Sequence, residues 1–410
     1  ARNIVAAGVG TFIGASSFSA DATINGITVG KGANSVANNT AVGLNALDAS
    51  VTGNNNTAVG SASLSANTSG SDNTGLGYGA LNQATTGTQN TAVGSNALDA
   101  ITTGNNSVAI GYNALTANTA SGNSALGHSA LAANTTGSGN IGVGKNSLLV
   151  NTNGNYIVAV GQNALDASNA SQNTAIGHEA LSANTTGDQN VAVGADSLDA
   201  NTTGQHNVGV GYRALGANTT ASNNTAVGKD ALKSNTTGNA GVALGTAALE
   251  SNTTGVRNTA LGAYALDAAT TADQNTAVGY NALTDNTTGT YNTAVGAGAL
   301  ENHTTGNRCT ALGRTALNNS TTGEDNTALG YYAAVQLTTG SDNTAVGSYA
   351  LQQSTTGERI TAIGYMAFGE SGSGTNVENS LAIGYQAGRN ATGANNSTLI
   401  GYNAGRYITG

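Results

Sequence analysis

The side chains of this sequence that could hold a metal or move a proton are few. There are four histidines (His128, His178, His206 and His303), one cysteine, Cys309, and scattered carboxylates. Catalysis or metal binding needs different residue types brought together. His128 and His178 each follow an equivalent glycine, three repeats of the chain apart. That is about 14 Å at the usual strand spacing, too far for the two to share an ion. The expectation is that all four are exposed loop histidines. Asp48, Asp99, Asp166 and Asp199 are expected to be solvated turn carboxylates without partners. Cys309 stands where most repeats carry Asn and reads as a tolerated small residue; one cysteine cannot build a disulfide framework within a chain. Neither the GGxGxD calcium pattern nor a phosphate-binding loop is present. The expectation is no enzyme, no metal and no cofactor.

The tyrosines are patterned. Tyr78, Tyr112, Tyr212, Tyr280, Tyr331, Tyr365, Tyr385 and Tyr402 all come directly after the equivalent glycine of their repeat, and Tyr332 and Tyr349 come one place later. They crowd together after residue 330. Aromatic faces on a surface can stack on sugars or fill a partner's pocket. Tyr331, Tyr332, Tyr349, Tyr365, Tyr385 and Tyr402 are therefore the candidate contacts for a cell-surface glycan or receptor. The competing reading is that they only cover turn backbone.

Composition narrows the rest. The chain has 410 residues, 59 of them Gly, with no Pro or Trp, 8% charged residues and a formal charge of −9. Low charge and absent Pro argue against disorder, and Gly has no three-residue period, which excludes collagen. Scattered Lys and Arg disfavour nucleic acid, which needs a clustered basic surface. No stretch approaches the roughly 18 apolar residues of a membrane helix, so no membrane insertion is expected. No leader of the basic-then-apolar kind is visible at Ala1, and the final repeat is incomplete at Gly410. The missing initial Met and that mid-repeat ending fit a mature, processed or excised piece of something longer.

The elements that must position these residues come from one repeat. With the glycine that closes each "AVG"-like stretch as position 0, the series starts at Gly43 and ends at Gly401, in 22 units of 17 residues with few exceptions. A unit reads Asn, Thr, Ala, Val, Gly, two variable residues, Ala, Leu, two variable residues, Asn, Thr, Thr, Gly and two variable residues. Gly recurs too often for a helix. "TAV" alternates like a short strand, and "NTTG" reads as a turn whose Gly is free to take positive φ. Each unit is expected to form one coil of a β-solenoid, with two short strands and two turns. The 22 coils would span roughly 105 Å at about 4.8 Å per coil. One coil cannot fold alone, because ordering it costs on the order of 17–34 kcal/mol, while one buried Val or Leu returns about 1.5–3 kcal/mol. Stacking supplies the difference, helped by Asn ladders at positions −4 and +7.

Strand alternation separates two faces. Ala at −2 and Leu at +4 (Leu47, Leu64, Leu81, Leu98, Leu115, Leu283, Leu300, Leu317, Leu351) would fill the coil interior. Position −1 then faces outward: Val42, Val59, Val93, Ile110, Ile176, Val227, Val278, Val295, Val346 and Ile363. A continuous apolar stripe on a rod invites association, and a parallel homotrimer closes a shared axis most economically. Residues 1–30 lack the register and read as an irregular β lead-in or cap. Residues 31–369 hold the regular repeats. Residues 370–410 are variant repeats with an enlarged loop at Glu370–Asn379 and slimmer or differently packed last coils, because Gly388 and Gly405 replace Leu at +4.

"NSVAIG" (Asn106–Gly111) and "NSLAIG" (Asn379–Gly384) resemble the strand motif of YadA-like heads in trimeric autotransporter adhesins. "GNNNTAVGSASLSANTSG" (Gly53–Gly70) is more similar to repeats of bacteriophage tail-fibre proteins, and "DATINGITVGKGANSVANNTAVGLNAL" (Asp21–Leu47) resembles the lead-in of such fibres. The resemblance implies a left-handed β-roll trimerised along its axis. It implies a structural rod of an extracellular tail fibre on a virion, joined to upstream and downstream fibre segments and supporting host attachment. The alternative is a bacterial surface adhesin or filament of the same fold. A remote alternative is an ice-binding solenoid with Thr ladders.

Overall fold

The computed structural model describes residues 21–49, 51–370 and 377–408. The chain is an all-β solenoid of about 21 turns with a 17-residue repeat, in two compact units, 1–139 and 140–410. In the first unit a hairpin of β1 (Ala22–Ile24) and β2 (Ile27–Gly30) lies antiparallel against β3 (Thr40–Val42). From β3 to β8 (Ser124–Leu126) the strands are parallel neighbours. The second unit runs from β9 (Ile141–Val143) to β24 (Thr398–Ile400) in the same way. Register is fixed residue for residue: Thr276, Ala277 and Val278 pair with Thr293, Ala294 and Val295 one repeat on. Among the described residues there is no α-helix, and one short 3₁₀ turn lies at Ala33–Ser35.

Each coil has one three-residue strand, where two were expected. The "ALDA"-type stretch is a run of turns instead, and the reason lies in its backbone. Position +4 takes a left-handed conformation in coil after coil, as at Leu47 (φ 49°), Leu283 (φ 53°) and Leu317 (φ 50°), and so does +2. That conformation costs a bulky L-residue roughly 1–2 kcal/mol, which full burial of a Leu repays at about 1.5–3 kcal/mol. Leu47, Leu64, Leu81, Leu98, Leu115, Leu283, Leu300, Leu317 and Leu351 are all inaccessible to solvent, as are most of the Ala residues at −2. At +2 less is repaid, since most of those side chains are only half-buried. Thr315 sits there at φ 54° and is β-branched, the residue type least suited to it. Thr315→Asn is expected to raise stability by about 1 kcal/mol, seen as a higher thermal midpoint. An unchanged or lower midpoint would show that the neighbouring coils hold Thr315 without strain.

Two glycines per coil have different reasons. The glycine at position 0 adopts φ between 125° and 144°, and a Cβ on Gly94 would sit 2.5 Å from the carbonyl oxygen of Gly111 in the next coil. The glycine of "NTTG" does not take positive φ as expected. It is small because its neighbour is close: a Cβ on Gly70 would lie 2.2 Å from the Gly87 oxygen.

The thin apolar core is completed by amides. Asn at −4 is buried, and its Oδ1 accepts the backbone N–H of the same position one coil on, as in Asn73 N to Asn56 Oδ1 at 3.0 Å. Its Nδ2 donates across the coil, as in Asn73 Nδ2 to Gly87 O at 2.8 Å. At +7 a second ladder runs amide to amide: Asn218 Nδ2 to Asn201 Oδ1 at 2.8 Å, Asn235 to Asn218 at 3.0 Å and Asn252 to Asn235 at 2.9 Å. The ladder ends at Ala269, leaving the Asn252 Oδ1 without a partner among the described residues.

The last coils trade volume between neighbours. A Cβ on Gly388 would meet the Phe368 ring at 2.5 Å, and one on Gly405 would meet Leu399 and Ile408. Phe368 replaces Leu at +4 and Leu399 replaces Ala at −2, so large residues fill the room that the glycines vacate. Of the expected loop at Glu370–Asn379, residues 371–376 lie outside the described residues.

Candidate functional site

Position −1 faces outward on every strand, one residue beyond the buried Ala. Ile110, Ile176, Val227 and Ile363 are exposed, and Val42, Val59, Val93, Val278, Val295 and Val346 are half-exposed. Thr at −3 shares this face, since residues two apart on a strand point the same way. Each unit therefore carries an open β-face on which position −1 is Val, Ile or Leu and position −3 is most often Thr.

The tyrosines of the second unit are brought together by the register. Tyr331 meets Tyr332 at 4.4 Å and Tyr349 at 5.5 Å, centroid to centroid. Tyr349 meets Tyr365 edge-on at 6.1 Å. Tyr365, Tyr385 and Tyr402 then stack nearly parallel, each pair 5.3 Å apart. Arg314 lies 5.9 Å from the Tyr331 ring centre. Tyr365, Tyr385 and Tyr402 cover one another's faces, while Tyr331 meets Tyr332 and Tyr349 edge-on and stays exposed. Tyr402, 75% exposed, is the most open of the six.

The histidines divide. His303 is fully buried at +7, contrary to expectation. Its Nε2 is 2.8 Å from Gly306 O and its Nδ1 is 3.3 Å from Ser320 Oγ, so the ring takes over a ladder amide's contacts. Burial pushes its pKa below the ordinary histidine value. Cys309 is also buried, with Sγ 3.3 Å from Gly323 O, and burial raises its thiol to about 11. It is a ladder substitute, and its raised pKa favours the thiol over the thiolate at neutral pH. His128 stacks 5.3 Å from Tyr112.

His178 has partners that the sequence reading missed. Its Nε2 lies 3.7 Å from Glu179 Oε1 and its Nδ1 3.9 Å from Asp196 Oδ1. The three can bring one ligand atom each within 4.8 Å of the others, the one such group among the described residues. Glu179 and Asp196 are both at +2 in adjacent coils, so the signal was present in the repeat alignment. Asp199 is not a free turn carboxylate either: burial, then Asp196, hold it above the ordinary value, and burial, more than Glu179, does the same at Asp166. Asp48 and Asp99 stay at +5 in the first unit.

Asp267, also at +5, is raised to about 6 by burial and then by Asp285 and Glu250. The folded state holds this proton more tightly than the unfolded chain does. The associated stability is present below pH 4 and lost as pH rises through about 6. Asp267→Asn should therefore melt higher than the parent at pH 7–8, by no more than about 1 kcal/mol at a half-exposed site. The gap should close at pH 4, and a constant gap across that range would refute the assignment.

No protein-family model matches this chain, and no curated protein matches it.

Proposed function

We propose that the chain is the structural rod of an extracellular trimeric fibre, a left-handed β-roll in a bacteriophage tail fibre that supports host-receptor recognition. The observation that carries this reading is the open −1 column. A chain whose coils mostly bury one large apolar residue leaves the Val, Ile and Leu residues of position −1 partly in water, on a face repeated coil after coil. Three copies meeting along that column bury it at every level. Rigidity then comes from backbone hydrogen bonds and Asn ladders tying each coil to the next. The tyrosine run at Tyr331–Tyr402 serves as the glycan or receptor contact. The same fold serves the alternative of a bacterial surface adhesin or filament, also extracellular.

Light scattering on the purified full chain tests the assembly: three chains per particle are expected, and a monomer at micromolar concentration overturns the reading. Screening against bacterial surface polysaccharides tests the contact, with binding lost in Tyr365→Ser and Tyr385→Ser. The open Thr and Val face also gives the ice-binding alternative a strand-borne array that the "NTTG" turns could not, and thermal hysteresis in the same sample would favour it.

A further inference from the structure

We propose that His178, Glu179 and Asp196 form a binding site for a divalent late transition metal, of the zinc, cobalt or nickel class, on the turn surface of the second unit. Three features support it. The first is ligand chemistry. One imidazole nitrogen with two carboxylate oxygens is a set that favours these metals, because imidazole suits them better than calcium or magnesium, which take oxygen. The second is reach. The ligand atoms lie within 4.8 Å of one another. Bonds of about 2.0–2.2 Å place ligand atoms about 3–3.5 Å apart, so side-chain rotations of roughly an ångström complete the site. His178 is exposed and the carboxylates are half-exposed, which leaves the rotations free.

The third feature is the charge left over. Glu179 and Asp196 occupy the same position in neighbouring coils, so the register stacks two like charges at strand spacing. Among the described residues no Lys or Arg pairs with either; the one charged-type partner within 4 Å is His178. Cations do border the cleft of about 490 Å³ that Glu179 and Asp196 line, and Arg213 follows Asp196 at +2 in the next coil, but neither cation comes within 4 Å of the two carboxylates. The Arg213 guanidinium lies 5.0 Å from the Tyr212 ring centre, and Lys233 pairs with Glu250 at 2.9 Å. A dication would relieve the repulsion and leave one or more coordination positions open to water or to a donor from a partner. The site needs one chain only, so it stands apart from the oligomeric reading.

The test is titration of the chelator-treated full chain with Zn²⁺ by calorimetry and with Co²⁺ by visible absorption. One ion per chain is expected, with a cobalt d–d band and a higher thermal midpoint on binding. His178→Ala should abolish binding. Glu179→Gln and Asp196→Asn, both near-isosteric, should each weaken it more than about tenfold. His128→Ala should bind as the parent does, because His128 holds the same repeat position but is followed by Ser129. The proposal fails if no saturable binding is found below millimolar metal, if His178→Ala or both carboxylate variants bind like the parent, or if His128→Ala is equally impaired.

Discussion

Val278→Asp is expected to dissociate the assembly, and Ala297→Asp to leave it intact. Val278 is the middle of the open column, half-exposed in the single chain and paired in register with Leu261 and Val295 on either side. In a trimer closed along that column, one substitution places three carboxylates around a common axis, out of water and without counter-charges. Buried unpaired charge costs several kcal/mol, far more than the lost methyl groups. Ala297 lies at an exposed +1 position, where a new carboxylate stays solvated and should change stability by no more than about 0.5 kcal/mol. Light scattering and thermal melting on both variants read the difference. In a single chain Val278→Asp would be a half-exposed surface change and mild. A parent that is monomeric, or two variants that remain trimeric and melt alike, would therefore remove the axis from this face.

How much of this was legible in the sequence depends on which physical cue each feature leaves. The coil length, the buried Ala at −2 and Leu at +4, the outward −1 column and both Asn ladders follow from periodicity and from strand alternation. The single strand per coil does not, because nothing in a leucine announces positive φ. Leu47 and Leu317 adopt it only because burial among neighbouring coils repays the strain. The "NTTG" glycine was legible as necessary but not for its reason, since a close carbonyl in the next coil is invisible within one repeat. Histidine–histidine separation bears on one ligand arrangement alone and says nothing of carboxylates near a single histidine. The partners of His178 are its own chain neighbour and a residue one repeat on, and stacking the repeats at +2 places Glu179 over Asp196. His303 was misjudged for the converse reason. Position +7 is interior in every described coil but the last, where Ile408 is exposed, so a residue stacked between two coils there is buried whatever its type.

The second large effect is expected inside the amide ladder, where Asn275→Asp should cost much more than Asn275→Ile. Asn275 is fully buried at −4. Its Nδ2 donates to Gly289 O at 2.8 Å and to Asn258 Oδ1 at 3.3 Å, while its Oδ1 accepts from Asn292 N at 2.8 Å. Aspartate has the same shape but no donor. It would set a carboxylate oxygen against two oxygens, in a place that cannot hydrate it, at a cost of about 3 kcal/mol or more. Isoleucine abandons the ladder at that level but introduces no charge. Gly289 O keeps the Asn286 Nδ2 at 3.0 Å, and only the Asn292 N–H loses its acceptor, for about 1–2 kcal/mol. The chain already makes this exchange at Ile157 and Ile360, both fully buried in the same repeat position. Acidification separates the two variants further. The buried carboxyl of Asn275→Asp should be held well above the ordinary value, so its neutral form is favoured by folding. Protonated, it regains a donor toward Gly289 O. Its stability deficit should therefore shrink from pH 7.5 to pH 4.5, while the deficit of Asn275→Ile should not move. Thermal melts of both variants at the two pH values decide it. Equal costs for Asp and Ile, or an Asp deficit independent of pH, would mean that water reaches the ladder.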